Sequence, residues 1–260
     1  MQFHPDQAVW ARKAGGHDGQ LYRALFIEAS TWPDDIRHDD RFYTPGKDEP
    51  TSPLPGFPDM QRHLDWHYLQ RPIDGSSAPV PPQGILDREI TALAADLHSK
   101  QSTTEKKAYA LPWLIHLVGD AHQPLHVSLR ENSQGRRDKL GREFGIINPY
   151  NPRKRRSTLH VFWDDLPSAF PLRGQRLDSA CRELIASHPF APPPANSGQW
   201  IEESRQIART HAYPPSAKSP TVLTEEFVAE AKNIAEQRVA AAGYRLADWL
   251  NGLLGRGRSN

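Results

Sequence analysis

A single cysteine, Cys181, stands in 260 residues, which excludes an intrachain disulfide and any four-cysteine metal cluster. No apolar run approaches the roughly 20 residues that cross a bilayer, so no membrane span is expected. The first 20 residues carry no apolar signal-peptide core, and the sequence shows no export address of its own. An excess of one charge is missing as well: 32 Lys and Arg face 31 Asp and Glu. The whole molecule is therefore not an electrostatic magnet for a polyanion. Attraction for nucleic acid must be local, through a few basic residues or bound cations. Convincing period-two alternation is also absent, which argues against a β-fold.

What remains is helical pattern, proline and histidine. Leu86, Ile90, Leu93 and Leu97 recur at helical spacing. From Ala108 to Val127 the segment is almost wholly apolar, with Asp120 its one formally charged residue. Pro112 is expected to start or kink that helix and Pro124 to end it. A last long helix is expected from Thr224, an N-cap followed by Glu225 and Glu226, with Phe227, Ala231, Ile234, Ala242, Leu246, Trp249 and Leu253 along one face. The 24 prolines fall mostly in four connecting stretches: Thr44 to Pro58, Pro72 to Gln83, His188 to Asn196 and Tyr213 to Pro220. No helix cluster looks self-sufficient, so the reading is an all-α, single-domain helical bundle over 1–260 with long Pro-rich loops.

Any metal must be held by histidine and carboxylate, and twelve histidines are enough for that. Leu114 to His126 reads L-I-H-L-V-G-D-A-H-Q-P-L-H. His116 and Asp120 are four apart and project from one helical face. A carboxylate on so apolar a helix is costly without a cation, and the segment holds no Lys or Arg. A divalent metal would compensate it. His126 lies just past the Pro124 break, and Leu159 to Asp164, L-H-V-F-W-D, repeats the i, i+4 pairing with His160 and Asp164. Two earlier segments complete the set: S-T-W-P-D-D-I-R from Ser30 to Arg37, and W-H-Y from Trp66 to Tyr68. One His/Asp pair alone is usually a solvated or hydrogen-bonded pair; the conjunction points to a hydrolytic zinc site.

In that order these segments resemble the signature series of the single-strand-specific zinc nucleases and 3′-nucleotidases, relatives of zinc-dependent phospholipase C. Trp200 to Ser204, W-I-E-E-S, and Ala241 to Asn251, A-A-G-Y-R-L-A-D-W-L-N, support the match, which runs from about Ile27 to Leu253. The resemblance implies a zinc-dependent phosphodiesterase that cuts single-stranded DNA and RNA to 5′-mononucleotides and also has 3′-nucleotidase activity. It implies a first zinc on Asp34, His67, His116 and Asp120, and a second on His126, His160 and Asp164. The family's third zinc lies beside the first, bridged by the carboxylate matching Asp120, and activates the attacking water. Its other ligands come from an N-terminal Trp and a Gly-His pair; Trp10 and Gly16-His17 imitate that pattern at a different spacing. Two zincs are thus placed, and the upstream segment is expected to be missing from this chain.

The resemblance further implies that Arg37 contacts the phosphate and that Tyr68 stacks on an unpaired base. Gln70 stands where the family uses Asp or Asn to bind the base edge. The loop after His126 departs from the family's Gly-rich turn, reading S-Q-G-R-R-D from Ser133 to Asp138 and R-K-R-R from Arg153 to Arg156; such a loop is either solvated or gathers phosphates. The expected partner is single-stranded nucleic acid or nucleotides, with no membrane, no protein partner and a monomeric state. Secretion or a periplasmic location follows from the family. The rival readings are a phospholipase C-like enzyme on the same scaffold and a catalytically weakened paralogue lacking the third zinc.

Overall fold

The computed structural model describes residues 4–13, 21–43, 50–74, 84–131, 135–168, 172–189, 196–216 and 218–255. Among them the α-helices are α1 (Gln7–Lys13), α2 (Leu21–Asp35), α3 (Leu86–His98), α4 (Thr104–His122), α5 (Leu159–Asp164), α6 (Gly174–Ser187), α7 (Ser197–Thr210) and α8 (Glu225–Leu254). The expected helical class holds. Leu86, Ile90, Leu93 and Leu97 are all buried along α3, as their spacing requires. Thr224 caps α8, its hydroxyl accepting from the Phe227 N–H at 3.2 Å.

Helix α4 begins four residues earlier than the apolar run, where Thr103 accepts from the Lys106 N–H at 3.2 Å. Pro112 therefore lies inside it rather than at its start. The helix stops at His122, and Pro124–Val127 forms a 3₁₀ turn whose Leu125 N–H donates to the Gln123 side chain. Proline at that position cannot donate a helical hydrogen bond, which is why the chain turns there.

Three short strands, β1 (Gly145–Ile147), β2 (Arg156–Thr158) and β3 (Thr221–Val222), form a sheet in the order β2-β1-β3. Strand β1 is antiparallel to β2 and parallel to β3, with Ile146 opposite Ser157 and Thr221. Strands of two or three residues are too short to show alternation in sequence.

The chain forms two compact units. The first is drawn from Met1–His67, Arg88–Val118 and Asp248–Asn260, the second from Tyr68–Asp87 and Gly119–Ala247. The first has an aromatic core. Trp32 meets Phe42, Phe57, Tyr109 and Trp113, all with ring centroids 5.7–6.2 Å away, and His4 stacks on Trp10 at 4.4 Å. The buried Asp6 is satisfied by the Trp32 indole N–H at 2.8 Å and by two donors from Arg41 at 2.6 and 3.0 Å.

Burial lowers the His4 pKa from 6.5 to about 4. Its Nδ1 accepts from the Asp6 N–H at 3.1 Å, a role open to the neutral ring. Above pH 6.5 the imidazole is neutral in both the folded and the unfolded chain, and proton uptake contributes nothing to stability. Between pH 6.5 and about 4 the unfolded chain takes up a proton that the folded one refuses, so stability falls as pH falls, by roughly 3 kcal/mol in total. Denaturant midpoints followed from pH 7.5 to 4.5 should therefore drop more steeply for the wild type than for His4→Phe. Equal slopes would remove His4 from the acid response.

The core of the second unit is built on Leu125, Ile146, Leu159, Phe162, Trp163, Leu223 and Phe227. The Trp163 indole N–H donates to the Ala212 carbonyl at 3.0 Å. Burial of Leu159 and Trp163, either side of His160, fixes α5 and hence the direction in which His160 and Asp164 project.

Candidate metal centre

In the first unit the side chains of Asp34, His67 and His116 converge, with one donor atom from each within 4.8 Å of the others. His116 Nε2 lies 3.1 Å from His67 Nδ1 and 3.7 Å from Asp34 Oδ2, and His67 Nδ1 lies 4.0 Å from Asp34 Oδ1. The ligands of a tetrahedral metal with 2.0–2.1 Å bonds sit about 3.3 Å apart. The other His116 nitrogen, Nδ1, donates to the Ser30 carbonyl at 2.8 Å. That bond fixes the tautomer and turns the Nε2 lone pair into the cluster, as an outer partner does for a metal-bound histidine.

Helix α2 supplies both Ser30 and Asp34, with Pro33 and Asp34 in its last turn. Asp34 is therefore not the N-cap of a new helix. The chain continues as a 3₁₀ turn, Ile36–His38. In that geometry i and i+3 nearly eclipse, and Arg37 Nε lies 3.3 Å from Asp34 Oδ1. The two side chains thus lie together.

In the second unit His126, His160 and Asp164 form another set. Asp164 Oδ2 is 3.3 Å from His160 Nε2 and Asp164 Oδ1 is 3.4 Å from His126 Nε2. The two imidazoles stack at 5.0 Å. His160 Nδ1 donates to the Leu140 carbonyl at 3.0 Å, again leaving Nε2 as the inward lone pair. Burial, then the neighbouring His126, lowers His160 to about 4, so the ring is neutral at ordinary pH. Burial opposes the charge of Asp164, but hydrogen bonding and charge from His126 outweigh it and hold the carboxyl at about 2. Neutral imidazole and ionised carboxylate are the forms a metal takes. Both sets fit a divalent metal.

The remaining expected residues are placed as follows. Asp120 Oδ1 lies 3.4 Å from His126 Nδ1, the arrangement of a carboxylate that orients a ligand histidine. Tyr68 is half-buried and Gln70 is buried. Gly84, at φ +82°, packs so closely that an added Cβ would fall 2.5 Å from Tyr68 Cδ2; only glycine fits there, and its backbone braces the ring. Trp10 is buried in α1, and Gly16-His17 lies outside the described residues, as do Ser133 and Gln134 of the S-Q-G-R-R-D segment.

Three polar partners escaped the sequence reading. Gln123 donates from Nε2 to Asp164 Oδ1 at 2.8 Å, and it was legible as part of H-Q-P-L-H. The Leu140 carbonyl and Arg142, whose Nη2 lies 2.7 Å from His160 Nε2, had no signal, because both are placed by backbone conformation.

The S1/P1 Nuclease family model matches residues 12–255, a span that includes both sets. The chain belongs to the S1/P1 nuclease family. Endonuclease 4 of Arabidopsis thaliana is 25% identical over 243 residues, 85% of this chain and 74% of that protein. Endonuclease 5 of the same plant is 25% identical over 213 residues, 74% of this chain and 62% of that protein. Membership makes the chain a nuclease, a hydrolase of nucleic-acid phosphodiesters, within a helical family whose activity depends on metal. Among the described residues no helix is long and apolar enough to cross a membrane.

Proposed function

We propose that this S1/P1 nuclease is a zinc-dependent endonuclease that hydrolyses single-stranded DNA and RNA to 5′-mononucleotides and removes phosphate from 3′-nucleotides. The carrying observation is the pair of His/Asp sets, in each of which a histidine is pinned through Nδ1 to a backbone carbonyl so that Nε2 turns inward. Histidine and carboxylate without thiolate suit zinc in a hydrolytic site. When bound, such ions polarise phosphoryl oxygens and make water more acidic.

The chain's own groups do the rest. His67 and His116 with Asp34, and His126 and His160 with Asp164, would hold the cations. Arg37, kept beside Asp34, offers planar N–H donors and fixed charge to a phosphate oxygen. Tyr68 offers a ring face to an unpaired base; stacking tolerates any base but needs it out of a duplex, which underlies preference for single strands. Secretion or a periplasmic location and a monomeric state accompany this reading.

The purified chain should degrade single-stranded DNA at least about tenfold faster than duplex of the same sequence. Chelator should abolish cutting and added zinc restore it, with 5′-phosphate on the products. Duplex cut at the same rate would overturn the single-strand reading. Cutting that survives exhaustive chelation would overturn the metal reading.

A further inference from the structure

The second metal set differs from the first in what stands on its imidazole. With His160 Nδ1 committed to Leu140 O at 3.0 Å, Nε2 is the ring's remaining acceptor, and Arg142 Nη2 lies 2.7 Å from it. One lone pair serves one partner. We propose that Arg142 is a built-in competitor for this metal position. Its guanidinium and a metal ion exclude each other at His160 Nε2, and metal binding there requires the side chain to turn outward. The inference rests on the metal reading of His126, His160 and Asp164.

The backbone at this place is built to aim Arg142. Lys139, Leu140 and Gly141 are successive left-handed residues, at φ 50°, 66° and 80°. Leucine in that region is unfavourable, and such strain persists where the surroundings enforce it. Here they do: Leu140 is buried, its carbonyl holds His160 Nδ1, and the Gly141 carbonyl accepts from the His160 N–H at 3.3 Å. A Cβ on Gly141 would fall 2.9 Å from Leu125 Cδ1 and 3.3 Å from the His160 nitrogen. The turn is clamped to the ligand, so Arg142 leaves from a fixed base and points back at the ring.

The guanidinium itself is not trapped, since Arg142 is exposed and can rotate into water. The first set differs. The arginine beside it, Arg37, pairs with a carboxylate oxygen, Asp34 Oδ1, at 3.3 Å, and a carboxylate keeps a second oxygen for a metal. His116 Nε2 also has a neighbour, His67 Nδ1 at 3.1 Å, but a neutral imidazole can move its proton to its other nitrogen and a guanidinium cannot. Arg142 thus weakens the second position selectively, through a donor that stays charged and through repulsion between like charges. The two sets fill in order, the second last.

Zinc titrations of metal-stripped protein against a competing chelator would test this on wild type, Arg142→Ala and Arg142→Gln, with thermal melts confirming folding. Wild type should show a tighter and a weaker class of site. Arg142→Ala should tighten the weaker class by about ten- to a hundredfold, the scale of a charge-assisted hydrogen bond, and leave the tighter class within about twofold. Arg142→Gln, a donor without charge, should fall between. Adding His160→Phe should delete the class that responds to Arg142. An unchanged or weakened second class in Arg142→Ala would overturn the proposal while leaving the metal reading intact. Zinc bound by none of the proteins would overturn both.

Discussion

Replacing His160 by phenylalanine should cost the enzyme at least about a hundredfold in nucleic-acid hydrolysis, and remove about one metal ion per chain. Outer partners of metal ligands are worth 10- to 100-fold in affinity or activity, and His160 is placed to be a ligand itself. The substitution separates ligation from packing. Phenylalanine keeps a ring against His126, stacked at 5.0 Å in the wild type, within a wall formed by Leu159 and Trp163. It removes both nitrogens, so the Leu140 carbonyl loses its donor, at about 1–3 kcal/mol. Melting temperature and metal content measured on one sample distinguish the outcomes. A folded variant with undiminished metal and activity would remove His160 from the site; a folded variant that loses one metal and its activity places it there.

Replacing Glu203 by alanine should lower stability by about 3 kcal/mol, or roughly 6–12 °C in melting temperature for a chain of this size. Two buried arginines, Arg238 and Arg245, share this one carboxylate. Arg238 Nη1 donates to it at 2.8 Å and Arg245 at 2.7 and 3.0 Å. Arg238 also reaches the His122 and Trp200 carbonyls and the Ser204 hydroxyl, so it stays hydrogen-bonded when Glu203 is lost, but its charge is uncompensated. Removing one partner of a buried ion pair costs more than the pair contributes, because the remaining charge stays desolvated. Glu203 is itself about one-third exposed, which places the loss at the low end of that range. Burial opposes ionisation of Glu203, yet the hydrogen bonds and charge of Arg245 and Arg238 hold its pKa below 4.5. The contribution is therefore complete above pH 4.5 and fades as pH falls through the lower folded value. Chemical denaturation of wild type, Glu203→Ala and Glu203→Gln at pH 7 checks it; a difference under about 0.5 kcal/mol would show that the arginines need no counter-charge.

Much was legible because it is local. Leu86, Ile90, Leu93 and Leu97 declared a helix by spacing, and Thr224 with Glu225 and Glu226 declared the start of another. The i, i+4 pair of His160 and Asp164 needed only the helix that carries it. Pro112 shows the limit. It was expected to start or kink its helix, and it sits within it, because burial of the apolar residues around it outweighs one missing backbone hydrogen bond. The short strands escaped because two or three residues carry too little pattern.

The sequence by itself determined the chemistry available: one cysteine and twelve histidines left histidine and carboxylate as the metal-binding groups, and proline fixed where the apolar helix must stop. Tertiary structure decided which groups meet. It brought His67, 49 residues from His116, to 3.1 Å of it, and chose the tautomers by presenting the Ser30 and Leu140 carbonyls to Nδ1. It also set Arg142 against His160. These contacts depend on where distant backbone carbonyls and left-handed turns fall once the core has packed, and side-chain spacing encodes neither.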